Sequence, residues 1–199
     1  VYEQAGDWEP LRSLLEQIER DKVIPEDRWQ ALMQRCLQAL LVAAGEHRRL
    51  DSVHGAWETI PKRFRSDAAI RRSYIQQLAR SGADSEAIAL ITQALKSDWD
   101  GELVLLFGEL RASDDVSQLA TVEQWLRQYE ERPELLLVAG RLCLRGRLWG
   151  RARSYLEASL TQRKAPDTLF ALARLAEETK EPERARGLYR EGLELALAD

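Results

Sequence analysis

The chain has 199 residues, 45% of them hydrophobic and 31% charged, with only 11 Gly and 6 Pro. That length gives one large domain or two small ones with an ample core, and the composition is that of a soluble globular protein with long elements and few turns. The formal net charge of −4 argues against nucleic acid as a partner of the chain as a whole.

The apolar period is helical nearly throughout, and alternating runs of Val, Ile and Thr are missing. The opening, Asp7-Trp8-Glu9-Pro10-Leu11-Arg12-Ser13, parallels Leu148-Trp149-Gly150-Arg151-Ala152-Arg153-Ser154 and reads as the second helix of a pair. A divergent pair covers 26–60, broken near Ala44-Gly45. A clearer pair covers 68–97, with Tyr74, Ile75 and Leu78 before a turn at Gly82 and Ala87, Ile91 and Ala94 after it. The rhythm is interrupted over 99–119, where WDGELVLLFGEL fits a short extended segment or a helix and ASDD reads as a loop. Helices follow at 135–144 and 149–161, then at 168–178 and 183–197. Pro182 suits a first helical turn, where its missing N–H costs nothing.

The last two pairs superpose at a shift of 33 residues. Leu136, Ala139, Gly140 and Cys143 fall on Leu169, Leu172, Ala173 and Ala176, while Ala152, Leu156 and Ser159 fall on Ala185, Tyr189 and Gly192. Small residues let two antiparallel helices approach, and large ones fill the space between pairs. The pattern resembles the tetratricopeptide repeat, one residue under its usual ~34. The organisation expected is one continuous solenoid: an N-terminal group of helix pairs (1–98), an irregular connector (99–119) and C-terminal repeat pairs (120–199). No initiator Met is present and the chain starts in mid-repeat, so a fragment of a longer protein is expected. No signal peptide and no apolar run of the ~18 residues that a bilayer span requires is found.

The residues that could carry chemistry have plain structural readings. Cys36 and Cys143 belong to no CxxC or Cys/His cluster, so a reducing compartment and core packing are expected. His47 and His54 lie seven apart, on one helix and roughly one face. A metal or haem-iron pair is conceivable there, but exposed, solvated side chains are the favoured reading. Trp8, Trp57, Trp125 and Trp149 are expected in the core and Trp99 partly exposed. No nucleophile–base pattern, P-loop, dinucleotide fingerprint or HExxH occurs. No catalysis, metal or resident cofactor is expected.

Charge is more informative. Residues 132–164 hold eight basic and two acidic side chains in a chain that is acidic overall. In repeats of this type the first helix of each pair lines the concave face. Equivalent positions there hold Gln76, Arg141 and Arg174, with Arg72, Arg80 and Arg145 one turn away. Guanidinium groups facing one groove would take carboxylates or phosphates bidentately. Arg72, Gln76, Arg141, Arg145 and Arg174 are the candidate groove contacts.

Trp125-Leu126 and the run RPELLLVAGRLCLRGRLWGRARSYLEASL over 132–160 resemble the signature segment of the HemY family, the tetratricopeptide proteins of proteobacterial haem-biosynthesis operons. Trp57 with Pro61, Trp99-Asp100 before Leu103-Val104, and the closing Ala185, Tyr189-Arg190 and Gly192-Leu193 add to the resemblance, which extends over essentially the whole chain. It implies a C-terminal region of a protein held in the bacterial inner membrane by N-terminal helices absent here, with this domain cytoplasmic. It further implies a scaffold for late haem-pathway enzymes, or a porphyrin- or haem-binding carrier, without catalytic residues. The fold expected is an all-α, right-handed α-solenoid of tetratricopeptide-like pairs.

Overall fold

The structure is a computed structural model that describes residues 2–21, 24–112, 114–130 and 132–198. These residues form helices and turns, with no strand among them. The chain divides into two compact units, Val1–Leu90 and Ile91–Asp199, and the division falls within one helix. Among the described residues, no helix is long and apolar enough to cross a membrane.

The first unit holds α1 (Tyr2–Ala5), α2 (Trp8–Asp21), α3 (Glu26–Gly45), α4 (Leu50–Thr59), a 3-10 turn (Lys62–Phe64), α5 (Ala68–Arg80) and the start of α6 (Asp84–Ala94). The long helix α3 packs against α2, α4 and α5. Its buried residues Trp29, Met33, Cys36, Leu37 and Leu41 recur at helical spacing, which turns one stripe inward. The Trp29 indole N–H is buried with them and donates to Leu15 O at 2.7 Å. Asp67 caps α5 by accepting from Ala69 N and Ile70 N, and it also accepts from Gln34 Nε2 of α3 at 2.8 Å. One carboxylate thus starts a helix and pins it to its neighbour.

The second unit holds α7 (Gly101–Glu109), α8 (Asp115–Gln128), α9 (Pro133–Arg145), α10 (Trp149–Gln162), α11 (Pro166–Glu178) and α12 (Pro182–Ala198). Helix α9 is its centre, packed against α7, α8, α10 and α11. Leu135 to Gly140, Leu142 and Cys143 are all buried, so α9 is covered on nearly every side. Pro133 and Pro166 stand in the first turns of α9 and α11, where a missing N–H costs nothing. At Gly140 the next helix comes so close that an added Cβ would lie 2.5 Å from Leu156 Cδ2.

Three hairpins, α5–α6, α9–α10 and α11–α12, turn in the same way. Leu78 O, Cys143 O and Ala176 O each accept from the N–H five residues on, at 3.0, 2.8 and 2.7 Å. The residue before each of those donors is left-handed: Gly82 at φ 80°, Arg147 at 57° and Lys180 at 62°. This is the Schellman closure of a helix C-terminus.

Three expectations need correction. The stretch 99–119 is not an irregular connector: it contains α7 and the first turn of α8. The side chains of Asp100 and Asp114 cap these helices, each accepting two backbone N–H groups at 3.0–3.1 Å. His47 and His54 do not share a helix, because α3 ends at Gly45 and the backbone turns through Arg48 at φ 52°. Trp125 is buried as expected, but Trp8, Trp57 and Trp149 are only half-buried, whereas Trp29 is fully covered. Trp57 stacks on Tyr74 at 4.2 Å between ring centroids and 9° between planes, and the Arg65 guanidinium lies over its ring at 5.7 Å.

A candidate interaction cavity in the second unit

Helices α7, α9 and α11 bound a cavity of about 480 Å³ in the second unit. Arg141, Arg145 and Arg174 line it, with Arg111, Glu109, Asp167 and Glu178 adding charge and Leu144, Phe170 and Ala171 an apolar wall. Arg141 and Arg174, 33 residues apart, stand at matching turns of α9 and α11, each eight residues past the proline that begins its helix. The size falls within the range of ligand sites, about 300–1,000 Å³.

The three arginines are not equivalent. Arg145 reaches back to α8, where Nη2 lies 2.9 Å from Asp115 Oδ1 and closer still to Gln118 Oε1, while Nη1 donates to Leu110 O at 3.3 Å. Its Nε is buried with no hydrogen-bond partner among the described residues. Arg141 pairs with Asp167 across the cavity at 3.2 Å. Arg174 is exposed and makes no hydrogen bond or ion pair within the described residues. The other two candidates, Arg72 and Gln76, lie on α5 in the first unit, Arg72 half-buried and Gln76 exposed. Arg80 on the same helix donates to Gln77 Oε1 at 3.3 Å.

Other groups with reactive potential are occupied by structure. Cys36 and Cys143 are fully buried, and burial pushes both thiols up to about 11, away from the thiolate form. His54 Nε2 stands 3.0 Å from Glu86 Oε2, whose other oxygen accepts from the Tyr74 hydroxyl at 3.2 Å. Burial, then the nearby Glu86 charge, raises the Tyr74 hydroxyl further. Among the described residues, no group of three His, Cys, Asp or Glu side chains is arranged to hold a metal ion. A smaller cavity of about 340 Å³ in the first unit is already satisfied by its own residues. Arg63 there is paired with Glu19 at 2.6 Å and lies over the Trp29 and Phe64 rings.

Curated proteins from Escherichia coli K12, Escherichia coli O157:H7 and Shigella flexneri align with 197 residues, 99% of the chain, at 22% identity. These relatives are HemY proteins. The chain spans about half the length of the HemY proteins it matches, 50% in each case. No protein-family model matches the chain, and no solved structure matches it significantly. The sequence resemblance and this alignment to HemY therefore agree over nearly all of the chain.

Sequence reasoning missed the cavity's acidic side. Glu178 stands 33 residues after Arg145, so the repeat register replaces an arginine with a carboxylate. Phe170, which walls the cavity, follows Leu137 in the same register. Both residues stand in the 33-residue register of the two pairs, but neither marks a cavity until α7, α9 and α11 come together.

Proposed function

We propose that this chain is a non-catalytic interaction scaffold associated with late haem biosynthesis. It would be a right-handed solenoid of tetratricopeptide-like pairs that brings pathway enzymes together at the bacterial inner membrane, its own domain on the cytoplasmic side. The resemblance to HemY over 99% of the chain supports the haem association. The shared Schellman turn of three hairpins and the 33-residue register support the repeat reading. The carrying observation is that Arg141, Arg145 and Arg174 line one cavity with an apolar wall, where Arg174 is left to take a partner's carboxylate. The thiols and His54 are held by burial and pairing, which supports a binding role over a catalytic one.

A second reading rests on Phe170, Ala171 and Leu144 beside the arginines: a carrier for a porphyrin or haem, which joins a flat apolar ring to carboxylate edges. Two titrations separate the readings. The wild type and an Arg141→Glu/Arg174→Glu variant are titrated with purified late haem-pathway enzymes by calorimetry, and with protoporphyrin and haem by absorbance and tryptophan quenching. Enzyme binding that weakens at least about tenfold in the variant supports the scaffold. Saturable micromolar porphyrin binding lost in the variant supports the carrier. Binding indifferent to both charge reversals sinks the cavity as the site of either.

A further inference from the structure

The cavity's charges are largely spent inside the chain, and what is left has both signs. Arg141 is paired with Asp167 and Arg145 with Asp115 and Gln118, while Arg111 is also engaged within the chain. Three charged groups remain without a hydrogen bond or ion pair among the described residues: Arg174 and Glu178 on α11, and Glu109 at the end of α7. Arg174 and Glu178 are four residues apart, so they project from one helix face about one turn from each other. They make no ion pair with each other. Phe170 lies one turn before Arg174 on the same face, beside Ala171.

We infer that this cavity recognises a peptide segment of mixed charge, one carboxylate for Arg174 and one cationic side chain for Glu178 and Glu109, with an apolar residue against Phe170. The inference rests on the binding-module reading above and specifies the partner chemistry of that site. A polyanion would meet two unneutralised carboxylates at Glu178 and Glu109. A polycation would meet Arg174 together with a layer of arginines behind it. A segment with opposite charges one helical turn apart meets neither penalty, which is how charge juxtaposition sets specificity at an interface.

The test uses the whole chain and three capped, alanine-based peptides of about 15 residues, long enough for partial helicity. One carries Glu–Lys pairs at i,i+4 around a central Phe; the others replace all charges with Glu or with Lys. Affinities are measured by calorimetry at about 0.1 M salt, where charges within ~10 Å still interact. The mixed peptide is expected to bind about tenfold more tightly than either control. Arg174→Gln and Glu178→Gln should each remove most of that preference, and Glu178→Lys should transfer it to the all-Glu peptide. Both side chains are exposed, and unchanged thermal melts verify that the variants fold. Tightest binding of the all-Glu peptide by the wild type overturns the inference while leaving an anion-binding scaffold intact. Absence of peptide binding, or binding that ignores all three variants, also overturns it, and the enzyme and porphyrin titrations then judge the broader reading separately.

Discussion

Arg147 and Lys180 stand 33 residues apart and share one backbone conformation, with φ of 57° and 62°. Each sits just past a helix end, where the next N–H returns to a carbonyl five residues back. A side chain at left-handed φ costs of order 1 kcal/mol, and Gly82 fills the matching place in α5–α6 without that cost. Arg147→Gly and Lys180→Gly should each stabilise the fold by about 0.5–1 kcal/mol, and Gly82→Ala should destabilise it by a similar amount. Urea unfolding of the three variants measures this. Destabilisation by both glycines would show that the arginine and lysine side chains matter more than their backbone.

Gly140 and Leu156 fix the separation of α9 and α10. A methyl at 140 would lie 2.5 Å from Leu156 Cγ and Cδ2, and Leu156 has no exposed surface into which it could retreat. Gly140→Ala should therefore cost about 1–3 kcal/mol by overpacking, despite the higher helix propensity of alanine. Adding Leu156→Val should recover part of the loss. A double variant whose cost is the sum of the singles would disprove the contact.

Arg145 and Arg174 line one cavity but should respond unequally to substitution. Arg145→Met strands the oxygen of Gln118, a residue only 2% exposed, and should cost about 1–3 kcal/mol of stability. Arg174 makes no hydrogen bond or ion pair among the described residues, so Arg174→Gln should stay within about 0.5 kcal/mol of wild type. Chemical denaturation measures both. Equal effects would mean that Arg145 does not tie α9 to α8.

Glu181 closes the turn between α11 and α12, held among three donors. Its carboxylate accepts from the Thr179 hydroxyl at 2.7 Å and from Arg153 at 2.5 Å and Arg184 at 3.2 Å. Thr179 first, then Arg153 and Arg184, hold its pKa down from 4.5 to about 2. A depressed carboxylate stabilises the fold above its unfolded pKa, and that contribution fades as pH falls from about 4.5 toward 2. Glu181→Gln should flatten this part of the acid-unfolding curve. A carboxyl resonance that titrates near 4.5 in the native protein would show that the network is not formed.

Much of the helical framework was readable because local signals agreed. The Gly82 turn, Pro182 in a first helical turn, and the small–large alternation of α9–α12 all point the same way. The segment 103–107 was ambiguous because a short, fully apolar run has no period to read. Its helicity is settled by Asp100, whose side chain caps the first turn. The pairing of Arg145 with Asp115 and Gln118 spans 27 residues or more and leaves no mark in local sequence, so its commitment to α8 was invisible. The arrival of Arg141 and Arg174 at one cavity was legible because the 33-residue register implies it; the state of their charges was not, since pairing is decided by neighbours on other helices.

One sealed thiol lies in each unit, Cys36 in the first and Cys143 in the second. Neither reacts until its surroundings open, so each is a clock for its own half of the chain. With a thiol reagent in excess, Cys36→Ser leaves a signal that times the opening of 91–199 alone, and Cys143→Ser one that times 1–90. Matching rates would mean that the two units open equally readily. A slower second half would mean that the arginine-lined cavity outlasts the rest of the molecule under stress.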